Sequence, residues 1–100
     1  MQVLFNSRHP QATQFRDLTE RRVRFVLRRL GWMVPRAEVK MSDVNGPRGG
    51  IDKRCQLQVR LADSSDVVIA DVQQDLYLAM SRAVERAAGA LRPQVRPRGA

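Results

Sequence analysis

Histidine is almost missing from this chain, and with it most of what an enzyme would need. One His, one Cys and a 5% share of aromatic residues are spread over 100 positions. His9 stands beside Pro10 in a stretch that reads as a turn, so no His-based metal site or nucleophile–His triad can be assembled. The lone Cys55 excludes an internal disulfide, which suits a reducing compartment. No apolar run approaches the ~20 residues of a membrane-spanning helix. The N-terminal Met1-Gln2-Val3-Leu4-Phe5 passes straight into Asn6 and Ser7, without the layout of a signal peptide. The expectation is a cytoplasmic, single-domain protein of residues 1–92 with a flexible basic tail over 93–100. It is expected to have no cofactor, no membrane partner and no small-molecule substrate.

Negative charge is the other shortage. Eighteen Lys and Arg face ten Asp and Glu, giving a net charge of +8 and a pI near 11.4. Such an excess points to a polyanionic partner, most often nucleic acid. Nearly all the cations are arginine; only Lys40 and Lys53 are lysines. Guanidinium groups fork onto phosphate and stack on bases, which suits RNA. The same bias also suits a genome rich in G and C, but that would not produce the net charge.

What is present is organised around residues 36–61. Ala37, Val39 and Met41 alternate with Arg36, Glu38, Lys40 and Ser42, the period of a half-buried strand. Three glycines, an Asn-Gly and a Gly-Pro pair then break the pattern between Ser42 and Asp52. Alternation resumes with Cys55, Leu57, Val59 and Leu61 against Arg54, Gln56, Gln58 and Arg60. The spacing predicts an antiparallel hairpin, apolar on one face, with Arg36, Lys40, Arg54 and Arg60 on the other. Before it, Val3 and Phe5 alternate with Gln2 and Leu4 in a short first strand, followed by a turn over residues 6–11.

From Ala12 to Leu30 the period becomes helical: Phe15, Thr19, Val23, Val26, Leu27 and Leu30 share one stripe. Opposite lie Arg21, Arg24 and Arg28, with Arg22 and Arg29 on one flank beside Leu18 and Phe25. Gly31 stands where a glycine helix stop belongs, and Pro35 follows. Between Arg8 and Arg36 only Asp17 and Glu20 oppose the arginines, whereas a face made for solubility alone would mix both signs. Phosphate binding is therefore preferred over a merely solvated surface. For Phe25, a peripheral contact with the sheet edge is expected ahead of stacking on a base or packing on a partner chain.

Val67 to Val72 reads as a third antiparallel strand of unsettled register, because both parities are apolar. A second helix is predicted from an Asp75 cap to Leu91, ending at Arg92-Pro93. Leu76, Ala79, Met80, Ala83, Val84, Ala87 and Leu91 form its buried stripe. Arg82, Glu85, Arg86 and Gly89 project away, and Tyr77 and Leu78 lie at an exposed shoulder. The order β-α-β-β-β-α predicts an α+β fold: a four-stranded mixed sheet with two helices on one face and a parallel crossover between the first two strands. The other sheet face is expected to stay open and polar.

Smaller motifs carry little chemistry. Arg48-Gly49-Gly50 lacks the Lys-Ser/Thr ending and following helix of a phosphate-cradling loop. Asp43 and Asp52 suit turn capping better than paired acid–base work. Cys55 beside Lys53 and Arg54 could be an activated thiol, but its inward parity favours a small buried residue.

Two motifs together resemble a known family. Met41-Ser42-Asp43-Val44-Asn45-Gly46-Pro47-Arg48-Gly49-Gly50-Ile51-Asp52-Lys53-Arg54-Cys55 resembles the hairpin of one branch of the ribosome hibernation promoting factors, the family of ribosome-associated inhibitor A (protein Y), once named sigma-54 modulation protein. Asp75-Leu76-Tyr77, Ala79-Met80 and Val84-Glu85-Arg86 resemble its second helix. The likeness covers about residues 2–92, in a short form without the C-terminal dimerisation domain of longer members. It implies a fold similar to the double-stranded RNA-binding domain and a monomer rather than a dimer. It also implies a stress-response inhibitor of translation that binds the small ribosomal subunit. There it would occupy the mRNA channel, contacting rRNA at the A- and P-site tRNA positions. By position in the motif, Arg86 is the first RNA-binding candidate and Arg22 the second; charge geometry adds Arg21, Arg24, Arg28, Arg82 and Arg29. Gly89 departs from the family pattern, where relatives often keep a basic or polar residue. The competing readings are a generic double-stranded RNA-binding module and a regulatory protein-interaction module using Leu18 and Phe25.

Overall fold

The elements follow the predicted order: β1 (Gln2–Ser7), α1 (Arg16–Val26), β2 (Arg36–Asp43), β3 (Lys53–Arg60), β4 (Asp66–Gln73) and α2 (Leu76–Val95). This computed structural model describes residues 1–7, 12–43 and 53–95, with side chains described through Leu91. The predicted turn around His9, the glycine-rich loop with Asp52, and residues 96–100 of the predicted tail lie outside the described residues.

The four strands form one sheet in the order β1-β2-β3-β4. β1 runs parallel to β2 with Gln2 opposite Arg36, as a crossover through α1 requires. The remaining pairs are antiparallel, Arg36 opposite Arg60 and Arg60 opposite Asp66. The alternation read from the sequence fixes which side is greasy: Ala37, Val39, Met41, Cys55, Leu57, Val59 and Leu61 are all buried. Val23 and Leu27 from the first helical region and Leu76, Ala79, Met80, Ala83, Val84, Ala87 and Leu91 from α2 join them in one core. Each fully buried Val or Leu contributes about 1.5–3 kcal/mol relative to exposure, so this seam supplies most of the driving force.

Register in β4 is decided by its neighbour. Ile69 lies opposite Leu57 and Val67 opposite Val59, so both turn toward the helices. Val68, Ala70 and Val72 therefore face the open side, where Val68 and Val72 are exposed. The open face is polar in the centre, as expected, but carries apolar side chains along this edge.

The first helix differs from its prediction. Instead of one helix over 12–30 there is a 3₁₀ turn (Ala12–Phe15), then α1, then a second 3₁₀ turn (Arg28–Leu30). From Leu27 onward the backbone bonds are i to i+3: Leu30 N–H to Leu27, Gly31 to Arg28, Met33 to Leu30 and Val34 to Gly31. Leu27, Leu30 and Met33, each three apart, turn inward along these tight turns. Gly31 is consequently no left-handed stop; its φ of −57° and ψ of −30° are right-handed.

The second helix opens as predicted: Asp75 Oδ1 accepts the N–H of Tyr77 at 3.0 Å. It does not end at Arg92-Pro93 but continues to Val95. Proline at position 93 removes the intrahelical bond to the carbonyl of Gly89, an exposed residue. Between β3 and β4, Ser64 adopts the left-handed φ of 73°, and Asp63 Oδ1 accepts the N–H of Ser65 at 3.0 Å.

Candidate nucleic-acid interface

Both faces of the molecule carry arginine, and they differ in how that charge is balanced. On the open sheet face Arg36, Lys40, Arg54 and Arg60 are interspersed with Glu38 on β2 and Asp66 at the start of β4. Arg60 Nε is bonded to Asp66 Oδ1, which raises the pKa of the guanidinium. That hydrogen bond, with another from Gln58, holds the Asp66 carboxyl below its usual range. This face is a mixed-sign surface.

On the helix layer the arginines outnumber the carboxylates Asp17, Glu20 and Glu85, and several of them are left unbalanced. Because Thr19, Val23 and Leu27 turn inward, the α-helical period forces Arg21, Phe25 and Arg28 outward. Arg21 donates from Nε to the carbonyl of Asp17 at 3.4 Å. Arg28 donates from Nη1 to the carbonyl of Phe25 at 2.7 Å, and its guanidinium lies 4.3 Å from the centre of the Phe25 ring. Arg16, Arg29 and Arg82 are exposed. None of Arg16, Arg21, Arg28, Arg29 and Arg82 forms an ion pair with a carboxylate among the described residues.

The other three candidates are engaged. Arg86, first by sequence motif, donates from Nη1 to the Ala70 carbonyl at 2.7 Å and to Asp71 Oδ2 at 3.1 Å. The Asp71 side chain is only 10% exposed, so Arg86 both balances an inward carboxylate and covers the outer edge of β4. Arg22 Nη2 sits 3.6 Å from Glu85 Oε2, and its Nε is buried. It is a strut between α1 and α2. Arg24 bonds Glu20 Oε2 through Nε at 3.1 Å and the Met1 carbonyl through Nη1 at 2.8 Å, fastening the start of β1. Exposed pairs such as Arg24–Glu20 contribute little, about 0–1 kcal/mol, and exchange readily for a phosphate. The half-buried Arg86–Asp71 pair is costlier to open.

Two residues were missed in the sequence. Arg16 falls by helical period on the side of Val23 and Leu27, yet it is exposed, at the first residue of α1. Trp32, the one tryptophan, is 74% exposed. It stands past the predicted helix stop at Gly31, where the spacing assigns no element. Phe25, expected against the sheet edge, is instead 58% exposed.

Among the described residues, the remaining groups form no reacting centre. Asp43 pairs with Lys53 Nζ at 2.7 Å across the mouth of the hairpin. Cys55 is buried, and its pKa is pushed up to about 12 by burial and by the neighbouring Asp71, so it is a core residue and no nucleophile. No group of His, Cys, Asp and Glu among the described residues could hold a metal ion, and no helix is long and apolar enough to cross a membrane.

This arrangement of four strands and two helices is also found in solved structures. The chain superposes on the N-terminal domain of protein Y from Thermus thermophilus with a TM-score of 0.69 and 24% identity, over 94% of this chain and 99% of that one. A ribosomal subunit interface protein from Coxiella burnetii gives a TM-score of 0.69 at 14% identity, over 91% and 93%. At these identities the likeness establishes the fold, which is the one that the hairpin and second-helix motifs implied. No protein-family model and no curated protein matches the chain.

Proposed function

We propose that this protein is a non-catalytic, ribosome-associated inhibitor of translation, working in the cytoplasm as a monomer on small-subunit rRNA. The observation that carries the proposal is the unbalanced charge of Arg16, Arg21, Arg28, Arg29 and Arg82 on the outer helix surface of a fold shared with protein Y. Phosphate is the natural counter-ion for guanidinium groups that no carboxylate of the chain serves. Arg24 joins them by giving up Glu20, while Arg22 and Arg86 chiefly hold the presenting surface in shape. Occupation of the mRNA channel at the A- and P-site tRNA positions follows from the family resemblance, and would silence the ribosome during stress by exclusion rather than by reaction.

Sedimentation through sucrose gradients tests this. The protein should travel with small subunits at low salt and be released at high salt, because phosphate neutralisation dominates such binding. Protein remaining at the top of the low-salt gradient would reject the reading. Equal affinity for a naked RNA duplex would support a generic duplex-binding module instead. Replacing Arg21, Arg28 and Arg82 together by Glu should abolish co-sedimentation; retention would favour a protein-interaction role.

A further inference from the structure

We propose that Phe25, Arg28, Arg29 and Trp32 form a platform that stacks unpaired RNA bases, at the C-terminal end of the first helical region. The proposal rests on the RNA-binding reading above and names the kind of RNA this corner takes. Arg29 and Trp32 are both exposed and stand three apart in the run of tight turns that follows α1. Phe25 is packed on one side by the Arg28 guanidinium, with its centre 4.3 Å away, and more than half of its surface is open. Trp32 is more exposed still. In a chain so poor in aromatics, two large rings left in solvent among arginines contribute nothing to the core.

Neither Arg28 nor Arg29 has a carboxylate partner among the described residues, so the rings sit in uncompensated positive charge. A protein partner would have to desolvate those guanidinium groups to reach the rings. RNA satisfies both features at once, phosphate to arginine and base to ring, and any base presents a stacking face. A duplex meets only the first, since its bases are stacked already.

Trp32 is the chain's only tryptophan, so its fluorescence reports this corner alone. A short single-stranded RNA and a duplex hairpin of equal charge would be titrated, with anisotropy of labelled RNA reading binding and Trp32 emission reading stacking. The single strand should quench Trp32 and the duplex should bind without quenching. Trp32→Ala should weaken the single strand by about 5- to 150-fold and the duplex by less than about twofold. Phe25→Ala, with Trp32 intact, should reduce the quenching and weaken the single strand in the same direction. Bound single strand with unquenched Trp32, or equal losses on both RNAs, overturns the proposal. Quenching by RNA-free ribosomal proteins but not by the oligonucleotide also overturns it, and assigns the patch to a protein. Co-sedimentation of wild-type protein with small subunits, run in parallel, separates the two readings: sedimentation without quenching rejects the platform alone, and quenching without sedimentation rejects the ribosomal role alone.

Discussion

Replacing Arg82 should change how RNA binding responds to salt, whereas replacing Arg86 should not, although both lie on α2 four residues apart. Neutralising Z phosphates gives a slope of about −0.9Z in log affinity against log salt. If the unbalanced Arg16, Arg21, Arg28, Arg29 and Arg82 each meet one phosphate, the slope is about −4.5, and affinity falls about 500-fold between roughly 50 and 200 mM salt. Arg82 has no intramolecular partner among the described residues, so Arg82→Ala should make the slope shallower by about one and leave melting unchanged. Arg86 is held by Asp71 at 3.1 Å and by the Ala70 carbonyl at 2.7 Å. Arg86→Ala strands a nearly buried carboxylate, at a cost of about 1–3 kcal/mol. For a domain of this size that lowers Tm by about 4–24 °C, with the slope unaltered. Anisotropy with ribosomal RNA over a salt series, beside thermal melts, measures both quantities. A slope that Arg82→Ala leaves untouched, or an Arg86→Ala variant that loses a unit of slope and melts normally, would refute the division between presenting and bracing arginines.

Leu57 lies fully buried in a central strand between Val39 and Ile69. Leu57→Ala should destabilise the fold by about 2–5 kcal/mol in a denaturant titration; a loss under about 1 kcal/mol would mean the core is not seated there. The Cys55 thiol, with its pKa near 12, stays protonated in the folded state. The unfolded chain ionises it from about pH 8.5 upward, so this group's contribution to stability is complete below that pH and is lost as pH rises toward 12. Alkylation of Cys55 at about pH 9 should proceed only as fast as the chain opens, and rapid labelling of native protein would contradict its burial.

Period and charge determined the larger part of this protein by themselves. The alternation through residues 36–61, the helical stripe ending at Leu91 and the Asp75 cap each rest on local chemistry that any environment would respect. The excess of arginine on the outer helix faces follows from the same periods. Tertiary structure decided what local chemistry leaves degenerate. The register of β4 was open while Val67 and Val68 were equally apolar, and it was closed by pairing with β3. The exposure of Trp32 depended on the turns after α1, which pack Leu30 and Met33 against the core. Which arginines are available depended on where carboxylates from distant strands arrive. Asp71 reaches Arg86 across fifteen residues, and Glu85 reaches Arg22 from the other helix. A sequence shows how much charge a helix face carries, but only the packed chain shows how much of it is already spoken for.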